Sequence, residues 1–413
     1  MKKVFTYVIS ASFVFGILVL LNELVNCLKV IGQIDRKEAF LPTTSKTFQM
    51  ASDNAEFANS QYKALLRRIH NIPGDIIKHI CVVLVSLLIL SQSIKVKAQK
   101  AVSSIVEIFP KIGNSSRMKE VCFVSFTITS IIAAVFAGGP IIFKPLKAES
   151  QFFISITVYL ALGFVFIPFV YVIARKLLKV YSSRLIAACY LAYYVKSISE
   201  FLTVEDVNMQ TMKKLDISVF SNTVVDYLKE RHLENRIYGE RKKSETLNAA
   251  LVGWGTLERI EIYGNHKNLT DKEFEAVLMH EIGHSQDYSL FKKLSALFIL
   301  KFIEMVIVLQ LYLTVSEEYS DEFISKYGVF SIILILYFLF IDRWLLLFHK
   351  LTSQAAENSA DLIAKAHGYG QDLAKVLFDI TIRGETNIQS TKVFNALRSY
   401  HPTVYDRIEK LKS

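Results

Sequence analysis

Cysteine is scarce in this chain, and the pattern of its cysteines excludes a disulfide scaffold and a cysteine zinc site. Only 4 of the 413 residues are cysteines, and no two of them form a Cys-x-x-Cys pair. All fall inside or at the end of hydrophobic segments, namely Cys27, Cys81, Cys122 and Cys189. We therefore interpret them as small apolar packing residues. Internal repeats and low-complexity tracts are also lacking.

Charge is sparse as well, which argues against a soluble enzyme. Charged residues make up 21% of the chain, hydrophobic residues make up 52%, and the mean hydropathy is +0.33. These values are too apolar for a soluble enzyme of this size. A membrane-spanning helix needs about 20 mostly apolar residues. We predict seven spans, the fifth of them short, at about 4–27, 76–94, 121–143, 152–174, 182–195, 294–315 and 329–348.

The amino terminus and the net charge agree with a membrane location. Lys2 and Lys3 precede an apolar run without a small-x-small cleavage site, so the run is predicted to be a retained first span. The net charge is +10, and the lysines and arginines lie largely in loops between hydrophobic blocks. We therefore expect membrane lipid headgroups as partners. No nucleic-acid-binding motif is present, so no nucleic acid is expected.

Two polar segments flank the last two predicted spans, and they must lie on the same side of the membrane because those spans form a hairpin. The predicted fold class is mainly α, a polytopic protein with about seven transmembrane helices and a small α+β domain. The predicted domains are 1–195 with five spans, 196–292 with the first part of a catalytic domain, 293–348 with spans six and seven, and 349–413 with the rest of that domain.

The first polar segment contains His280-Glu281-Ile282-Gly283-His284, an HExxH motif. On a helix, residues i and i+4 share one face, so both imidazoles can reach one zinc ion while Glu281 lies beside a water. Thr270-Asp271-Lys272-Glu273 has the pattern of a capping box at the start of such a helix. The alternative is a histidine pair held by local hydrogen bonds, but the capping box and the apolar approach to the motif favour a metal site.

A zinc peptidase needs a third protein ligand, and the second polar segment offers one. The extended form HExxHxxGxxH is excluded, because position 287 is Asp and position 290 is Leu. Glu357 and Asp361 stand at i and i+4, so one can bind the metal while the other orients a ligating imidazole. The alternative is a solvated acidic helix face. Small neighbouring residues would allow close approach of the two helices, namely Ala355, Ala356, Ala360 and Ala364.

Together, five spans, HExxH, two further spans and ExxxD resemble the type I CAAX prenyl endopeptidase family, which are integral-membrane zinc metalloproteases. Two more blocks resemble that family: Asn248-Ala249-Ala250 with Gly253 and the following strand Arg259–Tyr263, and Ser399-Tyr400-His401-Pro402-Thr403 with Arg407-Ile408. The resemblance covers about 245–413 well. The chain departs from the family pattern where Tyr400 separates Ser399 from His401 and where Thr403 replaces a proline.

The resemblance implies roles for individual residues. One zinc ion per chain would be bound by His280, His284 and Glu357, with Glu281 as general base and Asp361 orienting a ligating histidine. His401 and Arg407 would face the site. Asn248 would hold the substrate backbone. The strand that carries Arg259, Glu261 and Tyr263 alternates as an edge strand should, so we predict that a peptide substrate adds to it; an ordinary strand is the alternative.

The resemblance also implies removal of the C-terminal three residues of a prenylated CAAX protein or peptide. It further implies spans that enclose an intramembrane chamber, and a location in the endoplasmic reticulum and nuclear envelope with the active site facing the cytosol. Two alternatives remain. A membrane quality-control protease of the bacterial heat-shock type shares HExxH and ExxxD but has fewer preceding spans. A channel or transporter would carry its polar groups within the spans instead.

Overall fold

The computed structural model describes residues 2–38, 55–90, 92–107, 115–137, 149–241, 247–264, 269–318, 324–340 and 342–412. Most of these residues are helical, and a small sheet accompanies them, as predicted. The helices are α1 Lys2–Asp35, α2 Ala55–Leu90, α3 Gln92–Glu107, α4 Ser116–Ala137, α5 Glu149–Leu202, α6 Asn222–Glu230, α7 Asp271–Gln286, α8 Ser289–Glu318, α9 Lys326–Phe340, α10 Asp342–Ala366, α11 Gly370–Arg383, α12 Lys392–Arg398 and α13 Val404–Lys412.

The sheet has four short strands in the order β1-β2-β4-β3. These are β1 Met212–Lys214, β2 Ile237–Glu240, β3 Asn248–Val252 and β4 Arg259–Tyr263. β3 and β4 form an antiparallel hairpin in which Asn248 lies opposite Tyr263. β2 pairs with the other side of β4 in parallel, with Ile237 opposite Ile260. β4 is therefore an internal strand, and β3 is an edge.

The described residues form two compact units. Unit 1 comprises Met1–Leu24, Ile69–Tyr194 and Lys301–Leu345, and unit 2 comprises Val25–Arg68, Val195–Leu300 and Leu346–Ser413. The HExxH and ExxxD segments both belong to unit 2. Val25–Arg68 also belongs to it, although this stretch looked like part of the spanning region in the sequence.

Unit 1 buries a charged side chain and exposes large apolar side chains, the reverse of the pattern in a soluble protein. Its large exposed side chains include Phe166 and Phe169, whereas Glu120 is buried and accepts a hydrogen bond from Tyr171 Oη at 2.6 Å. An ionisable group inside a spanning bundle needs such a partner, because hydrocarbon offers none. Val124, Ile131, Leu336 and Tyr337 are buried at the centre of the unit.

Two helices of the described residues are long and apolar enough to cross a membrane, Ser10–Asp35 and Ser289–Glu317. They overlap the first and sixth predicted spans. The number of seven spans stays a prediction, and 138–143 of the third predicted span lie outside the described residues. The fourth and fifth predicted spans fall within one helical element, α5, which is interrupted at Ser182 (φ 49, ψ −133).

Unit 2 is built around the sheet and the helix that carries HExxH. Ile260 and Ile262 of β4 are fully buried, as are Leu278 and Ile282 of α7, because alternate strand residues and one helix face point into the same core. Phe57 of α2 is also fully buried in this core, and its ring lies 4.7 Å from that of Phe378. The core thus fixes α7 against β3 and α11.

Candidate metal centre

Helix α7 begins with the predicted capping box, which the structure confirms. Thr270 Oγ1 accepts a hydrogen bond from the Glu273 amide at 3.3 Å, and the Glu273 carboxylate accepts one from the Thr270 amide at 2.9 Å. Lys375 of α11 makes an ion pair with the same carboxylate. These contacts satisfy the free amides at the first turn and set where the helix starts. The positions of His280 and His284 along the helix follow from that start.

His280, His284 and Glu357 come together as a set of three possible metal ligands, whose ligand atoms all lie within 4.8 Å of one another. His280 Nε2 is 3.5 Å from Glu357 Oε2, and His284 Nε2 is 3.4 Å from Glu357 Oε1. Ligands of a tetrahedral zinc ion about 2.1 Å away are themselves about 3.4 Å apart. Two imidazoles and one carboxylate are also a donor set of catalytic zinc sites. The residues therefore fit a zinc ion.

Asp361 and Arg407 form a buried layer behind these three residues. Arg407 donates two hydrogen bonds to Asp361, from Nε and Nη2 and both at 2.8 Å, in a bidentate geometry. Asp361 Oδ1 lies 3.0 Å from His280 Nδ1, although the angle is poor for a hydrogen bond. Arg407 Nη1 is also 3.4 Å from Glu357. Arg407 thus holds the carboxylate that faces the back of His280.

These contacts shift the pKa of the groups at the site. Burial by itself would lower the pKa of His280, but contacts with Asp361 and Glu357 outweigh it and raise the pKa to about 9. Burial would raise the pKa of Glu357, yet hydrogen bonds from His280, His284 and His401 hold it far below its ordinary value. The lowered pKa favours the ionised carboxylate of Glu357, which is the form that can bind a metal.

Glu281 is attached to the sheet through its carboxylate. Its Oε2 accepts a hydrogen bond from the Leu251 amide of β3 at 2.7 Å. In a strand pair, successive residues point their amides in opposite directions, so this amide and that of Ala249 point away from β4. The free edge of β3 therefore faces the HExxH helix, and Glu281 contacts that edge and lines one cavity with the three possible metal ligands.

Gly283 allows the HExxH and ExxxD helices to touch. A Cβ at Gly283 would lie 2.9 Å from Ala360 Cα and 3.1 Å from Ala360 O, closer than side chains pack. Ala360 and Ala356 are both buried at this contact. The contact of Gly283 with Ala360 therefore lets the helix that carries Glu357 and Asp361 lie next to His280, whereas Ala355, another of the predicted small residues, is exposed.

His401 reaches the site from the segment after α12. Its Nδ1 lies 3.3 Å from Glu357 Oε2, and 62% of its side chain is exposed. The segment is held by side chains on either side of it: Gln354 Nε2 donates to Ser399 O at 2.9 Å, and Asn395 Nδ2 donates to His401 O at 3.0 Å. The extra Tyr400 in this block does not keep His401 away from the ligands.

A cavity of about 260 Å³ in unit 2 opens onto these residues. The three possible metal ligands, Glu281, His401 and Arg407 line it together with Asn248 to Leu251 of β3. One wall is apolar, formed by Val277, Leu373, Val376, Leu377 and Ile380, and another comes from the start of α8, with Ser289, Leu290 and Lys293. The apolar wall from α11 was missed in the sequence, since only tertiary packing brings that helix beside α7.

The prediction that Arg259–Tyr263 is an edge strand is wrong. This strand is β4, which has β2 on one side and β3 on the other, so its backbone is already paired. Arg259 Nε lies 2.5 Å from Glu261 Oε1, Tyr263 Oη bonds to the same carboxylate, and none of the three residues lines the cavity just described. Asn248 does line it, as the first residue of β3.

Comparisons with known proteins agree with this site. Residues 227–413 match the model of the family described as Peptidase family M48. The chain matches no curated protein. Among solved structures, the crystal structure of S. mikatae Ste24p is similar to this chain with a TM-score of 0.55 over 98% of each chain. Sequence identity to it is 17%, so this likeness shows the fold.

Proposed function

We propose that this chain, a member of the type I CAAX prenyl endopeptidase family, is a membrane-embedded zinc endopeptidase that removes the C-terminal three residues of prenylated CAAX proteins. The family M48 match and the Ste24p fold support a membrane metalloprotease. The observation that carries the proposal is the set of His280, His284 and Glu357 with Glu281 beside it at the edge of β3. With a zinc ion bound, this arrangement would bring a Lewis acid, a base and a peptide-binding edge together.

A zinc ion held by His280, His284 and Glu357 would supply Lewis-acid chemistry, which would polarise the scissile carbonyl and make an attacking water more acidic. Glu281 takes the proton of that water and returns it to the leaving nitrogen. Because Oε2 is held by the Leu251 amide, we assign the proton transfer to Oε1. Asp361 lies 3.0 Å from Nδ1 of His280 and would orient that ring as a ligand, and Arg407 keeps Asp361 in place. His401 contacts the substrate carbonyl from the exposed side.

The peptide substrate is proposed to bind along β3, in place of the strand first predicted. The outward amide and carbonyl of Ala249 and the carbonyl of Leu251 can pair with an extended chain, as in other cases of strand addition. Asn248 lies at the end of this edge and can hold the backbone of the same chain. N-methylation of a peptide amide that faces β3 should weaken binding, because it removes a hydrogen-bond donor to this edge. N-methylation of the next amide, which points away from β3, should have little effect.

The membrane is proposed to deliver the substrate. A prenyl chain partitions into hydrocarbon at about 0.8 kcal/mol per buried CH₂, so a prenylated terminus is concentrated at the bilayer. The proposed location is the endoplasmic reticulum and nuclear envelope with the site facing the cytosol. Asn268, which lies outside the described residues and begins an Asn-Leu-Thr sequon, should then stay unglycosylated in a eukaryotic host.

The experiment that tests the function compares a farnesylated CAAX peptide with its unprenylated twin, using detergent-purified protein. Loss of cleavage in Glu281→Gln and with 1,10-phenanthroline is expected, while Glu230→Gln on the exposed face of α6 should behave as wild type. A preference for the farnesylated peptide supports CAAX processing. If the protein degrades an unrelated unfolded protein but cleaves neither peptide, the result would favour the quality-control function.

A further inference from the structure

Lys293 lines the same cavity from the start of α8, and its charge has no carboxylate partner among the described residues. Ser289, Leu290 and Lys293 stand at i, i+1 and i+4, so one helix face carries all three into the cavity. The other described cation that lines the cavity, Arg407, is occupied by Asp361 in two hydrogen bonds. Lys293 is therefore available to a ligand.

The neighbouring lysine, Lys292, does have a carboxylate partner. Lys292 is exposed, and its Nζ lies 2.6 Å from Asp287 Oδ1, so it neutralises the carboxylate at the junction of α7 and α8. Near Lys293 the structure instead has His349, whose pKa is lowered by burial and then by the charge on Lys293. Because His349 is neutral, it does not compensate the positive charge of Lys293.

The position of Lys293 relative to the metal ligands sets which part of a substrate it can meet. Ser289 Oγ lies 3.3 Å from Nδ1 of the ligand His284, and Lys293 begins one helical turn further, a rise of about 6 Å. An extended peptide advances about 3.4 Å per residue. A carboxylate two or three residues from the scissile bond is therefore within reach of the lysine side chain.

The charges around the site also favour an anionic ligand. Glu281, Glu357 and Asp361 contribute three negative charges, and Arg407 and Lys293 contribute two positive charges. A zinc ion would add two more positive charges, so the loaded site is net positive. In a confined cavity with apolar walls, such a charge attracts a carboxylate more strongly than it would in water.

We propose that Lys293 is a specificity-determining residue that binds a carboxylate of the peptide substrate, either its C-terminal carboxylate or an acidic side chain close to the cleavage site. This inference rests on the proposed peptidase function. An ammonium group bound to a carboxylate makes a charge-assisted hydrogen bond, which is stronger than a neutral one. Its loss affects substrate binding more than the chemical step, because Lys293 stays away from the reacting atoms.

Four peptides and three variants test the proposal. The four peptides combine either a free C-terminal acid or a C-terminal amide with either Asp or Asn two residues from the scissile bond. Lys293→Met should raise KM roughly 10-fold to 100-fold for the carboxylate it recognises, with kcat nearly unchanged. Lys293→Arg should restore most of the affinity, and Lys292→Met is the matched control that should behave as wild type.

The pattern of KM changes over the four peptides distinguishes the two possible carboxylates. A KM effect confined to the free acids identifies the C-terminal carboxylate, and an effect confined to the Asp peptides identifies the side chain. No effect, or the same effect on all four peptides, would overturn the proposal. Fluorescence anisotropy of labelled peptides with the Glu281→Gln protein measures the same preferences without turnover. If the wild type cleaves no peptide at all, the proposed function fails instead, and the binding data still report on Lys293.

Discussion

Gly283 of the HExxH helix lies against Ala360 of the ExxxD helix so closely that a Cβ at Gly283 would be 2.9 Å from Ala360 Cα. Backbone, unlike the end of a flexible side chain, cannot move aside at small cost. The glycine inside the motif therefore has a packing role that is separate from the chemistry of its neighbours. It sets the separation of the two helices that supply His280, His284 and Glu357.

Replacing Gly283 by alanine should push α7 and α10 apart and weaken the metal site. Overpacking of this kind costs about 1–3 kcal/mol of folding free energy. We expect a lower thermal unfolding midpoint and a lower zinc content after dialysis, measured by metal analysis. The matched control is Gly32→Ala in α1, where the added Cβ meets only the Arg36 side chain at 3.6 Å. Equal behaviour of the two variants would contradict the packing role.

Removing the guanidinium of Arg407 should weaken zinc binding although Arg407 is not a ligand. Arg407→Met leaves Asp361 buried without its bidentate partner, and His280 loses its orientation. Loss of such an outer contact typically costs about 10-fold to 100-fold in metal affinity. Competition with a chromophoric chelator measures this change. Lys410→Met, on the same helix but bonded to Asn358 at the surface, should leave the affinity unchanged.

The proton on His280 should make the metal-free protein sensitive to pH. The pKa of His280 is raised from 6.5 to about 9, so its contacts stabilise the fold fully below pH 6.5. That stabilisation should be lost as the pH rises through about 9. The thermal unfolding midpoint of the metal-free protein should therefore fall over this range. A flat profile would rule out a charged His280.

Zinc binding should also release a proton, since a ligating imidazole must be neutral. At pH 7 the neutralisation of His280 should contribute about one released proton per zinc bound, and this contribution should disappear above pH 10. Calorimetric titrations in two buffers of different ionisation enthalpy measure the number. A binding enthalpy independent of the buffer at pH 7 would contradict the expectation.

The first part of α2, from Ala55 to Arg68, should contribute to the stability of unit 2, which contains the candidate metal centre. Phe57 is fully buried in the core of unit 2 and packs against Phe378. Phe57→Ala should cost about 3–5 kcal/mol of folding free energy and reduce zinc retention with it. Phe291→Ala is the control, because that ring is 69% exposed, and its loss should change the unfolding midpoint little. Stability close to wild type for Phe57→Ala would contradict a contribution of this ring to the core of unit 2.

Local patterns explain why the centre of the site could be predicted. HExxH, the capping box at Thr270 and the i, i+4 pair of Glu357 and Asp361 depend only on the geometry of a helix. The identity of the edge strand depends on which strands pair across the chain. Alternation in Arg259–Tyr263 indicates a strand, but an internal strand with one polar face alternates in the same way.

By itself, the sequence determined the helix that carries His280, Glu281 and His284, its first turn, the third ligand candidate and the membrane character of the chain. Each of these follows either from the periodicity of a helix or from the length of an apolar run. Periodicity and run length are both properties of contiguous residues. Only the tertiary structure decided that β3 borders the cavity, that Phe57 belongs to unit 2 and that Lys293 points at the site. These depend on contacts between distant segments, which burial of a common core selects and which local periodicity does not encode.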